Sequence, residues 1–325
     1  MNRAHGAASL AERRPVEAGG NAVLLMAYGG PRSLDEVEAY YTDIRRGNRP
    51  PPHLLEELLA RYRAIGGSSP LSHIVERQRA ALQAELAGRG TPLRVYAGMR
   101  HIAPRIGTIV EQMAAEGITR FVAIALAPQR SSNAAGYRRA VDAALAGLAD
   151  HAPTYVFVES WHDQPRLIEA LATVTREAVD RLADPAHPFV LFTAHSLPAR
   201  VVVEGDPYPL ELAATAGLVA RRLGLASWGV AYQSAGRTDE AWLGPDLLSE
   251  IRRLGSEGIA ELVVSPVGFV AEHLEVLYDI DIEAQAVARS AGVRLERARS
   301  LIDDTTFIAG LADLAVAALV PPSVA

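Results

Sequence analysis

The chain has 325 residues, no cysteine, 49% apolar and 6% aromatic residues, and a formal net charge of −6. That length can bury a sizeable core as one large or two medium domains, and the lack of thiols excludes disulfides, zinc–thiolate sites and cysteine-ligated iron–sulfur clusters. An acidic balance with no basic tract beside stacking aromatics excludes a general nucleic-acid binder, and no apolar run approaches the roughly 18 residues that cross a bilayer.

Residues 1–20 carry scattered charge, no sustained apolar pattern and a closing Gly-Gly. They read as a mobile tail rather than a signal core, and the protein as cytoplasmic. Short β-type runs follow at 22–27, 93–98, 121–126, 155–159, 189–194, 228–232 and 262–267, with helical stretches between them. Continuous apolar strands separated by helices predict an α/β, doubly wound fold whose parallel strands are covered on both faces. In such a fold the loops after the strand C-termini carry the ligand site.

A worn duplication runs through the chain. V-L-L-M-A-Y-G-G-P, ending at Pro31, resembles V-L-F-T-A-H-S-L-P, ending at Pro198, with Tyr28 and His195 in register. Two further matches follow in the same order, R-V-Y-A-G-M with G-V-A-Y-Q-S and E-G-I-T-R-F-V-A-I with E-G-I-A-E-L-V-V-S. First and second matches lie 69 residues apart in one half and 36 in the other, so the first half carries an insertion, 33–65. Two similar Rossmann-like halves, 21–128 and 129–317, predict a cleft between them with Tyr28 and His195 on equivalent strand ends. The insertion reads as helices at 34–45 and 51–64. Arg45 and Arg46 end the first, where they either pair with a helix C-terminus or clamp ligand carboxylates.

His195 follows F-V-L-F-T-A and precedes S-L-P, which sets an imidazole at a strand end as a base or metal ligand. G-D-P-Y at 205–208 reads as a structural turn and helix start. The polar stretch from Gln233 to Asp246, with Trp242, suits the lining of a large flat apolar ligand. Eighty residues after His195, Glu275 belongs to a line of acids, Glu272, Glu275, Asp279 and Glu283, spaced by three, four and four residues. On a helix these fall within roughly 80° of arc amid apolar neighbours. Like charges so placed call for a cation, a proton path or arginine partners. One histidine and one carboxylate are too few for a closed metal cage but suit an open, transient site for a divalent ion. No G-x-G-x-x-G follows the first strand, and neither a P-loop nor a G-x-S-x-G elbow occurs.

The segments M-A-Y-G-G-P, Y-Y-T-D-I-R-R-G, R-Y-R-A-I-G-G-S-S-P-L, F-T-A-H-S-L-P, G-D-P-Y-P, Y-Q-S-A-G-R-T-D-E-A-W-L-G-P-D and V-G-F-V-A-E-H-L-E-V-L-Y-D-I-D-I-E occur in this order. Together they resemble the ferrochelatase family, from about Val23 to about Leu314. The resemblance implies insertion of ferrous iron into a porphyrin held between two Rossmann-like halves, with His195 as catalytic histidine and Glu275 as its partner. Tyr28 before G-G-P resembles the branch acting on coproporphyrin III, where a tyrosine ligates the product iron; protoporphyrin IX is the alternative substrate. By the same resemblance Arg45, Arg46, Arg61, Tyr62, Ser69 and Tyr137 contact the porphyrin, and the line of acids through Glu272, Asp279 and Glu283 then reads as a proton or metal path. The segment Gln129 to Gly136 departs from the aromatic and Ser/Thr-rich loop of the family. The resemblance further implies iron as a substrate rather than a bound cofactor, a monomer, and transient hand-over of product to a coprohaem decarboxylase. A non-catalytic haem or porphyrin carrier is the alternative of a different class.

Overall fold

The computed structural model describes residues 20–319 except Pro92, Asn133, Arg237 and Asp239. The expected tail therefore lies outside the described residues, apart from Gly20, which already pairs into the first strand. Strands β1 (Gly20–Ala27), β2 (Arg94–Met99), β3 (Ile118–Ala125) and β4 (Thr154–Val158) form one parallel sheet in the order β2-β1-β3-β4. Strands β5 (Phe189–His195), β6 (Ser227–Gln233), β7 (Glu261–Ser265) and β8 (Arg294–Arg297) form a second, in the equivalent order β6-β5-β7-β8. The duplicated segments thus occupy the same places in two sheets of one topology.

The inner strands β1, β3, β5 and β7 are largely apolar because both faces are covered. Alternate residues point to opposite sides, so Val23, Leu25, Val122 and Ile124 enter one core cluster while Leu24, Met26, Phe121 and Ala123 enter another. The first cluster continues into the second sheet through Val190, Phe192 and Val263. Phe121 and Phe192 are fully buried, each contributing about 1.5–3 kcal/mol by transfer from water.

Helices fill the connections. The insertion supplies α1 (Val37–Ile44) and α2 (Pro52–Ala64), followed by α3 (Leu71–Gly88). Then come α4 (Ile106–Ala115), α5 (Ala135–Ala146), α6 (Pro165–Val179), the short α7 (Arg200–Val203), α8 (Tyr208–Leu223) and α9 (Leu247–Ser256). After β7 stand α10 (Leu274–Leu277), a wide π turn (Asp279–Ala284) and α11 (Gln285–Ser290), and the described chain closes with α12 (Thr305–Leu319).

Three expectations are corrected. The boundary at 128 cuts the first sheet, because β4 pairs with β3 and keeps that sheet running to Val158. Helix α12 does not belong to the second half alone: it packs on α3, β3 and β4 as well as α6, with Phe307 stacked on Trp161 and Asp313 accepting from Arg89 and Arg166. Strand β8, R-L-E-R, was missed, since a four-residue edge strand with one buried side chain has no apolar run to read.

At the end of β5 the chain after β7 passes very close. Gly268 donates its N–H to the Thr193 carbonyl (3.0 Å), and a Cβ there would stand 2.9 Å from the Ala194 Cα as well as against its methyl. Gly268→Ala should therefore cost about 1–3 kcal/mol of folding free energy through overpacking. Urea denaturation reads this directly, and a loss under about 0.5 kcal/mol would mean that the loop yields freely.

Candidate active site

In a sheet of order 2-1-3-4 the connections leaving β1 and β3 run to opposite sides, and the crevice for ligands opens between these strands, at their C-termini. Tyr28 follows β1 directly. The chain turns away at Gly29, where φ is +85° and a Cβ would strike Ile102. His195 ends β5 at the equivalent position, its carbonyl accepting from the Tyr208 hydroxyl (2.9 Å) of the G-D-P-Y turn. Ser196, next in chain, donates its N–H to the Gln233 carbonyl (2.7 Å).

The segment after β7 brings Glu275 to His195, with Oε2 lying 3.1 Å from Nδ1. This is an ion-pair contact without aligned hydrogen-bond geometry, for Nδ1 lacks a hydrogen-bond partner. Burial works against a charged His195, but the Glu275 carboxylate, aided by Asp279, outweighs it and raises the imidazole pKa above its ordinary value. Burial likewise opposes the Glu275 charge, and His195, with smaller contributions from His273 and Arg61, holds its pKa below the usual carboxylate range. Among the described residues no three His, Asp or Glu side chains converge to hold a metal. His195 and Glu275 offer two donors and an open remainder.

The line of acids is only partly a helical stripe. His273 is extended, with φ −158° and ψ −176°, and caps α10 by accepting the Glu275 N–H at Nδ1 (3.1 Å). Glu272 precedes this cap, so it is out of helical register with Glu275. It meets Arg297 (3.2 Å), which also binds Asp281 through two nitrogens (2.6 and 3.0 Å). Beyond α10 the Glu283 N–H reaches back five residues to the Tyr278 carbonyl (3.0 Å). The wider turn keeps side chains four apart stacked. Glu275, Asp279 and Glu283 therefore form the line, without Glu272. Asp279 is buried, bonded to Arg61 and Ser234, yet desolvation raises its pKa to about 7.

Arg61 is thus turned to Asp279, lies 3.9 Å from Glu283 and packs over the Tyr278 ring (4.5 Å), balancing the acidic line. Tyr62 is buried with Leu274 in one small cluster, and Ser69 is buried against Gly30. Tyr137 is buried beside Arg100, whose guanidinium lies 5.9 Å from its ring and 5.8 Å from that of Tyr28. Arg45 and Arg46 meet no carboxylate among the described residues. Arg45 is half-buried over Tyr41 with Nε unpaired, and Arg46 is exposed with φ +58°. A side chain in that left-handed conformation costs about 1 kcal/mol, a strain that functional positions carry more often than others.

The Tyr28 phenol is pushed up to about 12 by burial and then by the Glu275 carboxylate, which also acts on Tyr40 and Tyr62. The acids after β7 therefore face the residues after β1. Sequence reasoning missed Arg100, His101 and Asp43. The first two follow β2, where the Arg100 and His101 N–H groups donate to the carbonyls of Ala27 and Tyr28. The duplication held the signal, because β6 places Gln233 beside His195 in the same way.

Comparison with known proteins agrees with this geometry. The Ferrochelatase family model matches residues 20–319. A ferrochelatase of Thermus thermophilus is 48% identical over 315 residues, covering 91% of this chain and 98% of its own. The coproporphyrin III ferrochelatase of Geobacillus thermodenitrificans is 40% identical over 296 residues, covering 89% and 93%. Among solved structures, SirB from Bacillus subtilis with Fe3+ shares the fold at a TM-score of 0.56 and 12% identity, covering 91% of this chain and 96% of that one. With a family model spanning every described strand and a relative at nearly half identity, this chain belongs to the ferrochelatase family and is a metal chelatase.

Proposed function

We propose that this chelatase inserts ferrous iron into coproporphyrin III, releasing two protons to give iron coproporphyrin. The observation that carries the reading is the His195–Glu275 pair at 3.1 Å, set across from Tyr28, with the uncompensated Arg45 and Arg46 on the insertion. Coproporphyrin is a flat apolar ring fringed by four carboxylates, and it needs apolar walls with cations at the rim. Arginine's planar fork suits such carboxylates.

Insertion requires that two pyrrole protons leave, that iron shed water, and that the ring bend toward the metal. His195 takes a pyrrole proton, while Glu275 stabilises the imidazolium formed. Asp279, near neutrality in its affinity for a proton, relays it toward Glu283 and solvent, and the nearby Arg61 cation, by lowering that affinity, favours its release. Glu272, held by Arg297, stands apart from this path. Tyr28 ligates iron from the opposite face of the ring. Contacts to the carboxylates and the apolar walls offset the distortion of the macrocycle.

Anaerobic assays with ferrous iron and either coproporphyrin III or protoporphyrin IX test the substrate. The specificity constant should favour coproporphyrin, and a preference for protoporphyrin would overturn the choice. His195→Ala should abolish insertion while porphyrin binding stays near normal; near-normal turnover would remove His195 from the mechanism.

The charge of Glu275 favours protonated His195, so the base is lost as pH falls through a value above the ordinary 6.5. Glu275→Gln removes that effect and leaves the opposing burial, so the acid limb of kcat/KM should move to lower pH, together with a slower insertion rate. An unmoved limb would assign it to another group.

Arg45→Ala combined with Arg46→Ala should weaken coproporphyrin binding about 10-fold, from up to about 1 kcal/mol for each near-surface pair. Protoporphyrin, with two propionates, should lose less. Equal losses in titrations with the two porphyrins would undo the clamp.

A further inference from the structure

Beside Tyr28 lies a buried histidine to which the proposed reaction assigns no part. The His101 N–H donates to the Tyr28 carbonyl (3.0 Å), carrying the pairing of β2 with β1 past the strand ends. The two rings then pack against one another in a tilted arrangement, centroids 4.3 Å apart and planes at 53°. Tyr40 stands edge-on to both at 6.5 Å, its hydroxyl donating to the Gly29 carbonyl (3.1 Å). The imidazole has one polar tie. Nδ1 lies 2.7 Å from Asp43 Oδ2, and since a carboxylate only accepts, Nδ1 carries the proton. Asp43 is itself gripped by Arg105 through Nη1 (3.0 Å) and Nη2 (2.7 Å). At the far side of the ring, Nε2 is buried with no partner among the described residues, and the residue as a whole is only 8% exposed.

A residue needed only to fill this space would be better as phenylalanine, which buries no unpaired nitrogen. What the imidazole adds is a ring fixed in orientation by Asp43. Tyr28 needs such a wall, for it is half-buried at a strand end and is followed by two glycines. We infer that His101, oriented by Asp43 on α1, is a positioning residue that holds the Tyr28 phenol where its oxygen meets iron seated in the porphyrin. The inference rests on the reading of Tyr28 as the ligand of product iron. It also gives the insertion a second task, for Asp43 lies two residues before Arg45, so carboxylate capture and iron ligation share one helix.

The test uses ferric coproporphyrin III and metal-free coproporphyrin III with the whole protein and three variants. His101→Asn retains an N–H for Asp43 but loses the ring; His101→Phe retains a ring but loses the bond. The parent should show a phenolate-to-iron charge-transfer band that Tyr28→Phe abolishes. Loss of most of that band in either His101 variant, with ferric coproporphyrin leaving at least 5-fold faster and metal-free coproporphyrin bound within 2-fold of the parent, supports the positioning role. A band and dissociation rate within 2-fold of the parent in both His101 variants overturn it, as does equal weakening of ferric and metal-free coproporphyrin. A band that survives in Tyr28→Phe removes Tyr28 as ligand, and the His101 role with it.

Discussion

An imidazole and a carboxylate share the end of an apolar sheet, and the site depends on that contact. Burial acts against the charge on both His195 and Glu275, and neither ion is stable there without the other. The cost falls on the segment that delivers Glu275, which has little regular structure to hold it. That segment is anchored at several points instead. Gly268 bonds to Thr193, the Gln233 side chain donates to the Glu275 carbonyl, and His273 caps the short helix. Arg61 reaches in from the insertion to balance Asp279, so even the first half contributes to the electrostatics of the second.

The doubled topology explains how two different chemistries come to face one another. Each sheet presents a side chain at the C-terminal end of its first strand, a phenol just past β1 in one case and an imidazole as the last residue of β5 in the other. Beside each, the neighbouring edge strand ends in polar residues, Arg100 and His101 after β2 and Gln233 at the end of β6. The halves then diverge by addition. The first gains a helical insertion that carries cations, and the second carries the acidic turn after β7. In the proposed reaction a flat ring between them would meet a phenol with cations on one side and a base with carboxylates on the other.

Much of this was legible in the chain. Seven strands announced themselves as apolar runs, because a strand covered on both faces needs no alternation. The duplication gave the pairing of Tyr28 with His195, and helical spacing brought Asp279 and Glu283 into line with Glu275. Spacing failed at Glu272, because periodicity carries no information about His273, whose extended backbone starts the helix only at Leu274. It failed again for β8, a charged edge strand, and for the boundary at 128, where β4 crosses back to the first sheet. The dyad of His101 with Asp43 joins residues 58 apart. A lone histidine gives no sign of such a partner until the strands are laid side by side.

The same long-range ties bear on how the site works. Gln78, fully buried on α3, donates to the carbonyls of Val270 (3.1 Å) and Ile302 (2.8 Å), just before the acidic segment and just after β8. Arg77 binds Asp303 beside it, and α12 lies against both halves. These contacts join the sheets through one continuous apolar cluster, so the distance between their strand ends is set by packing that resists compression. A cleft with fixed walls can spend binding energy on bending a ring, because the walls do not relax to suit the flat form. Asp279 and Glu283, the groups proposed to pass the proton, sit instead on a π turn, whose looser hydrogen bonding leaves room for small shifts. Rigidity and adaptability are thereby assigned to different parts of one crevice.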